Sequence, residues 1–270
     1  MNILILGASG LAGSKIYEML RKDHTVYGTC FSHWSQYSHD ENMHYYDISD
    51  PDQTYSIIKK TNPQIVISCM RGEFEQQLNA HRMIANYCSE IADSKFIYMS
   101  TANVFDKLDR QPHYEDDITL SDSDYGKFKI KCEDQLRNIL DKKLVIIRVP
   151  FIWSKKSLLF QRLIEAARHG DEIQAWSNLF TNHTTDEQIA SYVKYIIEND
   201  LNGIVHVGTN ETCNYLEFLK VLLQTLQLSE PVFSIEKIPY KSYLAVLSGR
   251  KDIPEKLQLT NSEVIHYLTK

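Results

Sequence analysis

Met1-Asn2-Ile3-Leu4-Ile5-Leu6-Gly7-Ala8-Ser9-Gly10-Leu11-Ala12-Gly13 opens the chain: an apolar run that meets three glycines and passes into an amphipathic segment, 14–21. A strand that hands the backbone to a glycine turn and then to a helix is the first unit of a dinucleotide-binding fold. Glycines allow the tight turn, a close approach of backbone to pyrophosphate and close packing of helix on sheet. The helix N-terminus adds free N–H groups and the positive end of a dipole. The spacing is Gly-x-x-Gly-x-x-Gly rather than Gly-x-Gly-x-x-Gly, and Gly13 is followed by Ser14-Lys15, which excludes the Gly-Lys-Ser/Thr of a P-loop. Gly7, Ser9, Gly10, Leu11, Ala12 and Gly13 are therefore candidate cofactor-binding residues.

Outward from this loop, short β-branched runs alternate with longer amphipathic ones: 3–6, 14–21, 25–29, 52–60, 65–69, 76–91, 96–100, 123–138 and 144–149. Runs such as Ile65-Val66-Ile67 and Leu144-Val145-Ile146-Ile147 show no polar alternation, as expected of strands covered on both faces. The fold class is α/β, a Rossmann-like doubly wound parallel sheet with a smaller C-terminal substrate lobe. Residues 1–150 read as the dinucleotide-binding domain, with 186–208 returning to it; 151–185 and 209–270 read as the substrate lobe. In that lobe the Asn- and Thr-rich stretch 178–185 is expected to be a loop, and the tail from 229 is weakly periodic.

The chain has 270 residues, 43% hydrophobic and 24% charged, with net charge −6 and no Lys/Arg run beyond adjacent pairs. That composition excludes disorder and collagen-like repeats and argues against nucleic acid as a partner. The most apolar later stretch, 144–153, is interrupted by Arg148 and falls short of the roughly 18 residues a membrane span needs. Five scattered cysteines without a Cys-x-x-Cys, and an opening strand that meets Gly7 early, suggest an unsecreted, cytoplasmic protein. The ten histidines form no His-x-x-x-His or His-Glu-x-x-His, so no metal is expected.

The glycine spacing at this position resembles the extended short-chain dehydrogenase/reductase superfamily. That resemblance points to further cofactor contacts. After the second strand an NAD-specific enzyme carries Asp or Glu for the ribose 2′-hydroxyl; here stand Thr29-Cys30-Phe31-Ser32-His33. Without a carboxylate, and with Ser32 and His33 as polar neighbours, NADP(H) is the preferred cofactor and NAD(H) an accepted one. Asp47-Ile48 resemble the family's adenine-side pair, and Cys69-Met70-Arg71 its loop beside the nicotinamide ribose. Val149 closes the sixth strand on the same side.

The superfamily's chemistry uses a hydroxyl at the end of the fifth strand and a Tyr-x-x-x-Lys on the following helix. The pattern occurs twice, as Tyr55/Lys59 and Tyr125/Lys129, and context separates the two. Tyr55 lies in a helical segment before the fourth strand, whereas Tyr125 follows the strand that runs into Ser100-Thr101. Residues four apart share a helix face, so Lys129 can serve whatever Tyr125 touches. Reducing a ketone builds negative charge on its oxygen, and a phenol placed there can donate the proton. A nearby ammonium lowers the phenol's pKa from about 10. The resemblance implies Thr101, with Ser100 as substitute, as holder of the carbonyl oxygen, Tyr125 as acid, and Lys129 as tuner of Tyr125 and anchor of the ribose.

Within the superfamily, Ser100-Thr101-Ala102-Asn103-Val104-Phe105-Asp106 is similar to the Ser-Thr-Asp-Tyr-Val-Phe-Asp of dTDP-4-dehydrorhamnose reductases. Tyr125-Gly126-Lys127-Phe128-Lys129 with Glu133 resembles their Tyr-Gly-Lys-Thr-Lys and downstream Glu, and Ile147-Arg148-Val149-Pro150 their Leu-Arg-Thr-Ser. Residues 178–185 and 250–257 match later motifs only loosely. The resemblance implies reduction of the 4-keto group of a nucleotide-linked 6-deoxy sugar. The expected partners are that nucleotide-diphosphate sugar and a second copy in a homodimer, with neither nucleic acid nor membrane. Ala102-Asn103 in place of the Asp-Glu of 4,6-dehydratases disfavours water loss. Two alternatives stay open: a sugar-nucleotide epimerase, and a non-catalytic NADP-binding subunit like that of methionine adenosyltransferase. Trp153, Trp176 and Phe180 read as core or interface aromatics, the acidic run 115–117 as a solvated turn, and Lys156, Arg162 and Arg250 as candidates for a diphosphate.

Overall fold

The computed structural model describes residues 1–32 and 34–270. Strands β1 (Asn2–Leu6), β2 (Thr25–Cys30), β3 (Met43–Tyr45), β4 (Ile65–Ser68), β5 (Lys95–Thr101) and β6 (Leu144–Val149) alternate with helices α1 (Leu11–Leu20), α2 (Trp34–Tyr37), α3 (Pro51–Thr61), α4 (Phe74–Glu90) and α5 (Asp124–Leu140). There follow β7 (Phe151–Trp153), α6 (Leu158–His169), β8 (Glu172–Trp176), β9 (Leu179–Thr181), β10 (His183–Thr185), α7 (Asp186–Glu198), β11 (Gly203–His206) and β12 (Cys213–Asn214). The chain ends through α8 (Tyr215–Thr225), β13 (Val232–Glu236), β14 (Ser242–Leu244) and α9 (Asn261–Thr269).

Seven strands form one sheet in the order β11-β6-β5-β4-β1-β2-β3, and the pairs β1–β2, β1–β4, β2–β3 and β4–β5 run parallel. The sheet is Rossmann-like, as the alternation of apolar runs and amphipathic segments predicts. The order reverses beside β1, which makes the carboxyl ends of β1 and β4 the switch point where α/β sheets take ligands. Leu4, Leu6, Val66, Phe96, Tyr98, Leu144 and Ile146 share one sheet face because side chains alternate along a strand. They form a core with Ile57 and Ile58 of α3, Ile84 and Cys88 of α4, and Phe128, Cys132 and Leu136 of α5. Local chemistry sets the helix ends: Asp50 accepts from the N–H groups of Asp52 and Gln53, Pro51 occupies the first turn of α3, and Asn62 closes it at φ 41°.

The chain divides into two compact units. One comprises residues 1–100, 127–147 and 189–205, the other 101–126, 148–188 and 206–270. The second has its own core, in which Trp153 packs with Leu163, Phe218, Leu222 and Val264. Residues 178–185, expected as a loop, form β9 and β10 instead. These strands are three residues each, too short for a period to show in sequence. Their polar groups are satisfied inside: Asn182 donates to the carbonyls of Thr209 and Val246 and accepts from the Val246 N–H. The weakly periodic tail supplies β13, β14 and α9, the last opened by a Thr260–Glu263 capping box.

All five cysteines are free thiols; Cys30, Cys88 and Cys132 are buried, Cys69 and Cys213 half-buried. Among the described residues no helix is long and apolar enough to cross a membrane, and no three His, Cys, Asp or Glu side chains gather as a metal site.

Candidate active site

The glycine loop leaves β1 with Gly7 at φ 77°, in the left-handed region that glycine adopts without strain. A Cβ on Gly7 would lie 2.8 Å from the Cys69 carbonyl oxygen, and one on Gly13 would overlap the Gly7 carbonyl. The loop is thus held against the end of β4 and the start of α1 by backbone contacts that only glycine permits. Thr29 Oγ1 accepts from the Gly7 N–H at 2.8 Å and ties the loop to β2. Gly10 caps α1 without a side-chain hydrogen bond, so no capping side chain claims the N–H groups of the first turn. Gly10 is exposed, Ser9 and Leu11 half-buried, and Ala12 and Gly13 packed beneath. Exposed loop backbone, close packing and an uncapped helix start fit a pyrophosphate.

Around this cradle, Met70 is buried and Arg71 exposed after β4. Gly72, at φ 144°, meets Ile48: a Cβ there would stand 2.6 Å from Ile48 Cδ1. The loops after β3 and β4, carrying Asp47-Ile48 and Cys69-Met70-Arg71, therefore touch. Asp47 closes a turn by accepting from Ser49 N–H and Oγ at 2.9 and 2.7 Å, and these bonds hold its carboxyl below the usual range. Ser32 is exposed directly after β2, while His33 lies outside the described residues. Val149 is buried in β6.

Lys129 is buried on α5, donates to the Met99 carbonyl at 2.9 Å and stands 4.7 Å from the centre of the Tyr98 ring. Burial pushes its ammonium down to about 8; Cys132, Cys69 and the Glu133 carboxylate pull upward, and Arg71 adds to the lowering. One turn further along, the buried Glu133 accepts from Ser100 Oγ at 2.6 Å and from Arg137 at 3.1 Å. Beside them, His81 bonds Ser68 Oγ at 2.7 Å and stays uncharged, its pKa driven down to about 3 by burial and by Lys129. Sequence reasoning named Glu133 only as a motif match. Its place eight residues after Tyr125, on the same helical stripe as Lys129, was the available signal.

Thr101 ends β5 and turns into a 3-10 helix, Ala102–Phe105, donating from Oγ1 to Asn103 Oδ1 at 2.9 Å and accepting from the Asn103 N–H at 3.2 Å. The start of α5 is pressed onto this turn: a Cβ on Gly126 would overlap the Asn103 carbonyl and Ser121 Oγ. Tyr125, the residue before Gly126, is 43% exposed. Asp106 fastens the arrangement by accepting from the Asp122 N–H at 2.8 Å and from Ser123 Oγ, which caps the Gly126 N–H at 3.1 Å. A hydroxyl can hold a carbonyl oxygen and a phenol can give it a proton. The other Tyr-x-x-x-Lys lies on α3, where Tyr55 is 64% exposed.

The acidic run 115–117 is more than a solvated turn. Glu115 is buried and accepts from Ser248 Oγ at 2.6 Å and from the N–H groups of Gly249 and His206. Asp117 pairs with His113, which lies stacked on Phe105 at 4.3 Å. Trp153 is wholly buried and donates to His183 Nδ1 at 3.0 Å. An indole N–H only donates, so the His183 proton sits on Nε2, facing Thr181 Oγ1 at 3.3 Å and the Cys213 sulfur at 3.4 Å. Trp176 packs at a tilt against Tyr215, ring centres 5.7 Å apart, and Phe180 lies beside Tyr243 beneath Lys241. Arg250 is engaged with Asp252 in a two-point ion pair, and Lys156 and Arg162 are exposed.

Comparison with known proteins adds relatives to this geometry. A family model described as "RmlD substrate binding domain" matches residues 1–244. The Bacillus subtilis spore coat polysaccharide biosynthesis protein SpsK is 26% identical over 164 residues, 58% of this chain and 57% of that protein, so the match spans little more than half of it. A Streptomyces niveus dTDP-4-keto-6-deoxy-D-glucose reductase is 20% identical over 222 residues, 77% of this chain and 72% of its own. Bovine methionine adenosyltransferase 2 subunit beta is 20% identical over 252 residues, 84% and 72% of the two chains. Among solved structures, the Bacillus anthracis dTDP-4-dehydrorhamnose reductase in complex with NADP superposes with a TM-score of 0.77 at 18% identity, covering 98% and 97% of the chains.

Proposed function

Since the chain belongs to the RmlD substrate binding domain family, we propose that it reduces the 4-keto group of a nucleotide-diphosphate-linked 6-deoxy sugar, in the cytoplasm, with a reduced nicotinamide cofactor. The observation that supports this reading is the close approach of Gly126, next in the chain to Tyr125, to Asn103 in the turn begun by Thr101. NADPH is admitted because no carboxylate follows β2 to repel a 2′-phosphate.

The bound cofactor supplies a hydride to the carbonyl carbon. Tyr125 gives its phenolic proton to the carbonyl oxygen, so the C=O bond becomes CH–OH. The Thr101 hydroxyl, turning its single proton away from Asn103 Oδ1, donates to that oxygen as charge builds on it. Lys129, charged at neutral pH, favours the phenolate that Tyr125 becomes and would anchor the ribose of a bound cofactor. Asn103 and Glu133 position the two hydroxyls at the end of β5.

The likeness to methionine adenosyltransferase 2 subunit beta supports a second reading, a nicotinamide-binding protein without turnover. One assay separates the two: loss of reduced-nicotinamide absorbance with purified protein against dTDP-4-keto-6-deoxyglucose and its uridine and guanosine counterparts. Sugar-dependent oxidation is the expected result. Cofactor binding without oxidation of any sugar would overturn the reductase reading in favour of the second.

A further inference from the structure

Thr101 is tied twice to one residue two places on. Its hydroxyl accepts from the Asn103 N–H at 3.2 Å and donates to Asn103 Oδ1 at 2.9 Å, so the Asn103 side chain folds back along the turn and lies against the hydroxyl. The amide has a second half. With Oδ1 on Thr101, Nδ2 carries two N–H groups that meet no acceptor among the described residues. Asn103 is half-buried, and this nitrogen is not sealed in the interior, where an unmatched donor is costly. The backbone beneath it is held: the Asn103 carbonyl accepts from the Asp106 N–H at 3.3 Å and is the atom that a Cβ on Gly126 would overlap. Thr101, Asn103 and Tyr125 all belong to one compact unit.

The chemistry of the sugar fixes what a donor in that place can meet. A ketone at C4 has two carbon neighbours, of which C3 carries a hydroxyl and C5 the methyl group of a 6-deoxy sugar. Oxygens on adjacent ring carbons lie about one hydrogen-bond length apart. A donor that adjoins the hydroxyl holding the ketone oxygen therefore reaches the oxygen on C3, whereas the methyl offers it nothing to bond. An amide does not titrate, so it binds there without drawing a proton from the carbon beside the ketone.

We infer that Asn103 Nδ2 donates to the 3-hydroxyl oxygen of the keto sugar, which makes Asn103 a specificity-determining residue that selects sugars hydroxylated beside the ketone. The inference rests on the proposed reduction at C4 and adds the group that the site reads at C3.

Initial rates of reduced-nicotinamide oxidation by the full chain, with dTDP-4-keto-6-deoxyglucose and with its 3-deoxy counterpart, measure this selection. If another nucleotide supports the faster rate, the same pair is compared on that nucleotide. Wild-type kcat/KM should be about tenfold higher for the hydroxylated sugar, the effect of stranding one neutral donor. In Asn103→Ala that ratio should fall to about one. A role confined to steadying the Thr101 hydroxyl would slow both sugars by the same factor and leave the ratio at its wild-type value, which overturns the inference. Asn103→Leu, similar in shape to asparagine and without a donor, should give the same ratio as Asn103→Ala and serves where alanine loosens the turn. Wild-type protein that reduces both sugars equally well overturns the inference alone and leaves the reductase standing. Wild-type protein that reduces no keto sugar on any nucleotide overturns the proposed function and the inference with it.

Discussion

Lys129 is buried, donates to the Met99 carbonyl and lies beside the Tyr98 ring, and burial brings its ammonium down to about 8. The sign of the consequence is fixed: below about 8 the ammonium is present and, in the proposed mechanism, favours ionisation of Tyr125; above it the charge is lost. We expect kcat/KM, which reports the free enzyme, to fall as pH rises through 8; a rate flat to pH 9.5 would refute the role given to Lys129. Tyr125→Phe keeps the ring and removes the proton, so it should lower kcat by about a hundredfold or more while leaving the NADPH dissociation constant unchanged by calorimetry. Both residues were legible in the sequence because spacing and strand order separate Tyr125/Lys129 from the exposed Tyr55/Lys59. Asn103 was not: its bonds to Thr101 replace the acidic and aromatic residues of the resembled motif, and no pattern announces them.

At the scale of elements, α5 does more than carry a motif. Gly126 at its start meets the Asn103 turn, and Glu133 in its middle takes the Ser100 hydroxyl from β5. Truncating Glu133 to alanine should cost about 3–5 kcal/mol in urea unfolding by stranding a buried partner, and Glu133→Gln, which can still accept from Ser100, distinctly less. If the two variants unfold alike, hydrogen bonding to Ser100 is not what the carboxylate supplies. Gly126→Ala should lower kcat more than it raises the KM of the cofactor, since it shifts Tyr125 without touching the glycine cradle. The strands β1, β4 and β6 were legible because each holds a continuous apolar run. β9 and β10 were not, since they are three residues each and Asn182 between them satisfies its amide through Val246, far along the chain, which a local pattern cannot show. For the same reason Glu115, 133 residues from Ser248, passed for a solvated turn.

For the molecule as a whole, buried neutral histidines set the acid limit of stability. Burial holds His81 and His183 at about 3, well below 6.5, so the unfolded chain takes up two protons that the folded chain refuses. Stability is then complete above about 6.5 and declines as pH falls toward 3, by up to about 1.4 kcal/mol per pH unit for each histidine. Urea midpoints measured from pH 7.5 to 5 should show this slope, and a profile flat across that interval would mean that the two rings are charged in the fold. The free thiols have a practical counterpart. Cys30 is buried, and burial lifts Cys69, Cys88, Cys132 and Cys213 far from ionisation at neutral pH; Cys213, moreover, faces the proton of His183 rather than its lone pair. Maleimide reagents attack thiolates, so the native protein is chemically quiet toward them. A single cysteine introduced on an exposed loop could take a fluorophore alone, without first stripping the five native thiols from the sequence.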